Sequence, residues 1–212
     1  MVPEYNDPGC RLRSMLNLGC FLARSGVNGP GIRAVVWVQG CPHRCEGCFN
    51  PQFLPFSPAQ QVSVRELART IHSLPDIDGV TFSGGEPFSQ AGPLAELGER
   101  IREAGLNVVT YSGYHYNQLA TGAGPGWQDL LAATDLLIAG PYIHPLACTD
   151  TLKGSSNQQI IPISGKVAVP AGEEDTCGRT AEFTIAADGS ITTSGFPDST
   201  FLRQLAARCR GM

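Results

Sequence analysis

Short apolar runs alternate with stretches of helical spacing through the middle of this chain. Ala34 to Gln39 is β-rich and apolar through Val38, which fits a strand buried on both faces, as in a parallel sheet. Gly79 to Phe82, Leu106 to Tyr111 and Leu136 to Ala139 repeat the run, the last ending at Gly140-Pro141. Between them, Val64, Leu67, Ile71 and Leu74 mark one helical face and Leu94, Leu97, Ile101 and Ala104 another, with a further helix at Asp129 to Ala133. Ser63-Val64-Arg65-Glu66 has the S-x-x-E form of a capping box at the start of the first helix. The alternation predicts right-handed crossovers, a parallel sheet and an α/β fold with its function at the carboxyl ends of the strands.

The flanks read differently. Residues 1–13 carry two prolines and a glycine without periodicity and are expected to be a mobile leader. Met15 to Ala23 reads as a strand, and Arg24 to Gly31 as a loop in which Asn28-Gly29-Pro30-Gly31 prohibits regular structure. Pro51 to Pro58 reads as irregular. Beyond Pro162, Glu182 to Ile185 and Ile191 to Thr193 flank Asp188-Gly189, a strong hairpin signal, and Leu202 to Ala207 suggests a terminal helix. The expected organisation is one domain over 14–161 and a C-terminal appendage over 162–212 packed on it and serving partner recognition.

Composition narrows the class. At 212 residues, with 16% charged residues and a net charge of -4, the chain is long enough for one well-buried domain and has no basic footprint for nucleic acid or for a membrane surface. No apolar stretch approaches a membrane span, and the acidic, proline-punctuated start lacks a signal-peptide core, so a cytoplasmic location is expected.

The chemistry gathers at Gly40-Cys41-Pro42-His43-Arg44-Cys45-Glu46-Gly47-Cys48-Phe49-Asn50, where three thiols fall at C-x3-C-x2-C directly after the apolar run. A structural zinc or an ordinary ferredoxin cluster takes four protein ligands. Three thiolates on a four-iron cluster leave one iron open, and an open coordination position is the mark of a catalytic metal site. Two other readings remain at this point: a zinc knuckle completed by His43, and a disulfide with one thiol left over. Cys10, Cys20, Cys148, Cys177 and Cys209 are scattered and offer no second compact ligand set, and His43, His72, His115 and His144 read as ordinary polar residues.

The cysteine loop, Ser83-Gly84-Gly85-Glu86-Pro87 and Gly154-Ser155-Ser156-Asn157-Gln158 together resemble radical S-adenosylmethionine (SAM) enzymes, most closely the small activases of anaerobic ribonucleotide reductase. The resemblance covers about residues 15–161. It implies an incomplete (β/α) barrel of the radical SAM type, a [4Fe-4S] cluster on Cys41, Cys45 and Cys48, and SAM chelating the fourth iron. It assigns Gly84 and Gly85 to the methionine ammonium, with Glu86 either joining them or organising the loop. Ser112, in Ser112-Gly113-Tyr114, becomes a candidate SAM contact or a plain turn serine, and Asn50 a residue that fixes the cluster loop. The implied activity is a glycyl radical installed on a larger partner, with flavodoxin or ferredoxin as low-potential electron donor. Gly47 before the third cysteine matches the activase form of the loop, whereas Lys153 and Ala139 depart from common family residues. A radical SAM catalyst acting on another peptide or small molecule, and a non-enzymatic iron-sulfur or zinc module, are the competing readings.

Overall fold

The computed structural model describes residues 15–169, 180–185, 188, 189, 191–196, 203, 204, 207 and 208. The leader over 1–13, together with Cys10, Cys177 and Cys209, lies outside them, and the terminal helix expected at Leu202 to Ala207 falls partly outside.

Seven strands form one sheet: β1 (Met15–Ser25), β2 (Arg33–Val38), β3 (Gln60–Ser63), β4 (Gly79–Gly84), β5 (Asn107–Ser112), β6 (Leu136–Ala139) and β7 (Gln159–Pro162), in the order β3-β1-β2-β4-β5-β6-β7. The four apolar runs are its parallel centre, β2-β4-β5-β6. The flanks correct the expectation of an all-parallel sheet, because β1 runs antiparallel to β2, β3 antiparallel to β1, and β7 antiparallel to β6. A parallel neighbour needs a long crossover, and residues 26–32 between β1 and β2 are too few for one. Neither β3 nor β7 was anticipated. Both are four residues long and largely solvent-facing at the sheet edges, where no apolar alternation is required.

Successive side chains on a strand point to opposite faces, and here the two faces are covered differently. Val36, Val38, Val80, Phe82, Val108 and Leu137 pack against the helices α1 (Val64–His72), α2 (Ala91–Glu103), α3 (Tyr116–Ala120) and α4 (Trp127–Ala132). Val64, Leu67 and Ile71 of α1 and Leu94, Leu97 and Ile101 of α2 are buried there, as their spacing predicted. Ser63 does precede α1, but its side chain makes no capping bond: it is the last residue of β3, paired with Met15, and the helix leaves directly from a strand. On the opposite face no α-helix intervenes among the described residues. Val35 and Trp37 pack with Phe53, and Val109, Leu136 and Ile138 with Leu152 and Val167.

Arg33, fully buried on this second face, is the polar anchor of the strands' amino ends. Its Nε donates to Thr81 Oγ1 (2.8 Å), Nη1 to Pro30 O (2.9 Å), and Nη2 to Val80 O (2.9 Å) and Asn107 O (3.1 Å). Burial pulls its pKa down to about 10, opposed by the charges of Tyr111, Asp78 and Asp135. The Asn28-Gly29-Pro30-Gly31 loop is shaped around it: Gly29 has φ +128° and lies against the Arg33 side chain, so a larger residue would collide with the guanidinium stem. Arg33→Met fills similar space without donors and removes the bonds to three carbonyls and to Thr81 Oγ1, which keeps only its own donation to Asn28 O (2.6 Å). The expected cost is about 3 kcal/mol, read from the urea unfolding midpoint; a shift below about 1 kcal/mol would show the network to be dispensable.

The remaining described strands, β8 (Ala181–Ile185) and β9 (Ile191–Gly195), pair antiparallel with each other, Ala181 opposite Gly195 and Ile185 opposite Ile191.

Candidate active-site cleft

All eight candidate site residues line one cleft at the carboxyl ends of β2, β4 and β5, which encloses about 960 Å³ including its open mouth. Its floor is the helix-free face, contributed by Trp37, Ser83 and Tyr111.

Cys41, Cys45 and Cys48 form one wall. The chain leaves β2 through Gly40 (φ +100°) and is clamped to a short helical turn, Pro51–Phe53, by main-chain bonds from Gly40 N to Phe53 O (2.8 Å) and Cys41 N to Leu54 O (3.0 Å). Cys41 is buried, and Cys45 and Cys48 are half-buried. Burial pushes the Cys41 and Cys48 thiols up, opposed at Cys41 by the main-chain N–H groups of His43 and Arg44 and at Cys48 by that of Asn50. Asn50 thus supports the loop through its backbone; its side chain caps nothing.

The facing wall is the glycine loop after β4. Gly84 (φ +106°) abuts the backbone of Trp37 and Val38, and Gly85 abuts the carbonyls of Gly40 and Phe53, so a Cβ at either position would strike main chain. Gly85 N donates to Val38 O and Glu86 N to Gly40 O, both at 2.8 Å. The glycine pair therefore lets two backbones touch, and it lines the cleft as well.

Glu86 joins three loops. It is 1% exposed, and its Oε1 accepts from Phe88 N (3.0 Å) and Ser112 Oγ (2.9 Å) while Oε2 accepts from Gly113 N (2.7 Å). His43 Nε2 lies 3.2 Å from Oε2, an ion-pair distance without hydrogen-bond alignment, and the ring meets Tyr114 edge-on at 4.4 Å. Ser112 Oγ, 5% exposed at the residue level, also accepts from Tyr114 N (3.1 Å). Both side chains hold neighbouring loops through these bonds.

His43 turns toward Glu86, and among the described residues no three His, Cys, Asp or Glu side chains gather as ligands of a single ion. The donor set fits a four-iron cluster better than a zinc knuckle, since a cube of iron and sulfide takes each thiolate on a separate iron.

The Gly154 to Gln158 segment acquires a role that its sequence alone did not suggest. Gln158 Oε1 accepts from Gly154 N (2.9 Å) and its Nε2 donates to Gly140 O (3.0 Å), while Asn157 Nδ2 donates to Pro141 O (2.8 Å). These bonds fasten the loop to the end of β6 and set Gly154 under Phe49 and Tyr142, whose rings lie 4.8 Å apart. Lys153 pairs with Asp150 at 3.3 Å. Cys20 and Cys148 stand apart from the cleft lining, each directed at a backbone carbonyl. Sequence reasoning missed one contribution: Ser194, Gly195 and Phe196 of the tail also line the cleft, and Phe196 meets Phe49 edge-on at 5.1 Å.

A family model described as a 4Fe-4S single cluster domain matches residues 27–161. The chain is 33% identical over 118 residues to the pyruvate formate-lyase-activating enzyme of Clostridium pasteurianum, covering 53% of this chain and 46% of that one. It is 31% identical over 141 residues to the anaerobic ribonucleoside-triphosphate reductase-activating protein of Enterobacteria phage T4, covering 63% and 86%. To the protein of the same name from Escherichia coli (strain K12) it is 27% identical over 143 residues, covering 63% and 90%. The matched span holds the cysteine loop, the glycine loop and the Gly154 to Gln158 segment, and the chain belongs to the radical SAM activase family built on a single 4Fe-4S cluster domain.

Proposed function

We propose that this chain is a radical SAM enzyme that reductively cleaves SAM and generates a glycyl radical on a partner enzyme, anaerobic ribonucleotide reductase. The observation that carries the reading is the convergence of three thiols, the glycine loop and the Glu86 hub on one cleft. For the partner, relatives named for the reductase are matched over 86% and 90% of their length, the relative named for pyruvate formate-lyase over 46%.

On this reading Cys41, Cys45 and Cys48 hold the cluster, and the thiols release their protons as they take up iron. The main chain of Gly84 and Gly85 meets the amino acid end of SAM, while Glu86, Ser112 and Asn50 act by holding the loops that do so. Held by Cys41, Cys45 and Cys48 and given one electron by a flavodoxin or ferredoxin, the cluster would supply the electron that breaks the sulfonium C5′–S bond of SAM, releasing methionine and a 5′-deoxyadenosyl radical that would take the α-hydrogen of a partner glycine and leave as 5′-deoxyadenosine. Trp37 and Tyr111 line the floor of the cleft, and the three loops would limit the direction from which a partner segment approaches. The seven-stranded sheet is read as the incomplete (β/α) barrel of this family, with residues 162–212 as its appendage and the cytoplasm as its compartment. Among the described residues no helix is long and apolar enough to cross a membrane.

Anaerobic reconstitution with iron and sulfide is expected to give one four-iron cluster per chain, and 5′-deoxyadenosine on addition of SAM and a reductant. Adding the reductase should then produce a glycyl radical signal in electron paramagnetic resonance. Stoichiometric zinc without iron uptake, or a cluster that leaves SAM intact, would refute the reading.

A further inference from the structure

The β8–β9 pair makes no strand-to-strand connection with the large sheet. A lone two-stranded ribbon is marginally stable in water, so its position depends on what its ends touch. One end is exposed: Ile185 is 71% and Ile191 41% accessible. The other enters the cleft. Gly195 (φ +86°) lies against Val27, and Phe196 rests on Phe49, the residue after Cys48, with its N–H donating to Thr180 O (2.9 Å).

Two features distinguish this end from a permanent wall. Ser194 is 7% exposed and lines the cleft, and its Oγ makes no hydrogen bond to protein, so nothing in the protein fastens it there. Among the described residues, its contacts with the cluster loop and the Gly154 loop are ring edges and van der Waals surface. What the segment offers to the cleft is a strand end with a glycine at its centre.

We propose that Ser194–Phe196 is an internal occupant of the place where the partner's glycine segment lies, and that the partner must displace it before a radical can be transferred. This rests on the reading of the cleft as the site of glycyl radical formation. It makes the tail a competitive brake: the chain shields its own cleft with a peptide of the shape it accepts, and partner binding exchanges one strand end for another. On this proposal the appendage expected to serve partner recognition also covers the site.

The test uses the full cluster-free chain and a fluorescent synthetic peptide, Ile-Thr-Thr-Ser-Gly-Phe, the sequence of residues 191–196. Anisotropy should show Phe196→Ala binding the peptide at least tenfold more tightly than the wild-type chain. Saturating peptide should also speed amide hydrogen exchange at residues 192–196 of the wild-type chain several-fold, a measurement that stands even if the variant misfolds. Equal affinity for both chains, or exchange at 192–196 that ignores the peptide, would overturn the proposal. Cleavage of SAM by reconstituted wild-type protein tests the underlying reading separately, so either can fail alone.

Discussion

Glu86→Ala is expected to lose about 3 to 5 kcal/mol of stability and most of its capacity to hold iron, although Glu86 is no cluster ligand. The substitution leaves Ser112 Oγ and the main-chain N–H groups of Phe88 and Gly113 without their carboxylate acceptor beside a buried carboxylate position. It also releases His43, and with it the middle of the cysteine loop. Glu86→Gln keeps one acceptor oxygen and about the same volume, so it should recover part of the loss. Urea midpoints and iron per reconstituted chain measure both effects. An alanine variant within about 1 kcal/mol of wild type, loading iron normally, would show that the three loops are held by something else.

Single changes of Cys41, Cys45 or Cys48 to alanine should each abolish the four-iron absorbance after anaerobic reconstitution, together with all reductive cleavage of SAM. The chain should stay folded, because the loop is clamped by the main-chain bonds of Gly40 and Cys41, which alanine preserves. Cys148→Ala is the matched control and should load a full cluster, as its sulfur lies outside the cleft lining. A Cys45→Ala chain with its cluster intact, or a Cys148→Ala chain without one, would require a different ligand set.

The parallel centre of the sheet was legible because strands buried on both faces must be apolar throughout, and Val35 to Val38, Val80 and Leu136 to Ile138 satisfy that demand. Gln60-Gln61-Val62-Ser63 carries no such signal, since an edge strand is held by pairing to one neighbour, and that pairing is decided by Met15 to Leu18 far away in sequence. The antiparallel entry of β1 was present in the short 26–32 connection and went unread. At the site, the gathering of three thiols directly after β2 was legible from their spacing, but the bonds that tie the neighbouring loops together were not. Glu86 and Ser112 are polar residues on glycine-rich loops, and only the fold reveals that their oxygens face each other across two strands. The tail's entry into the cleft depends on Phe196 meeting Phe49, a contact between residues so distant in the chain that no local pattern encodes it.

The contact between the glycine loop and the end of β2 has a consequence for how the site tolerates change. Val38, Gly40, Gly85, Glu86, Phe53 and Leu54 are joined main chain to main chain, so the interval from cysteine loop to glycine loop is a fixed gauge that no side chain sets. Apart from His43 and Gly47, whose φ of +69° and contact with His144 leave no room for a Cβ, the residues between the cysteines can vary in size and charge without moving that gauge. A residue inserted between Val38 and Gly40 would set the bond from Gly85 N to Val38 O against the three bonds that Gly40 and Cys41 make with Glu86, Phe53 and Leu54. In this protein the spelling of the loop is negotiable, and its length is not.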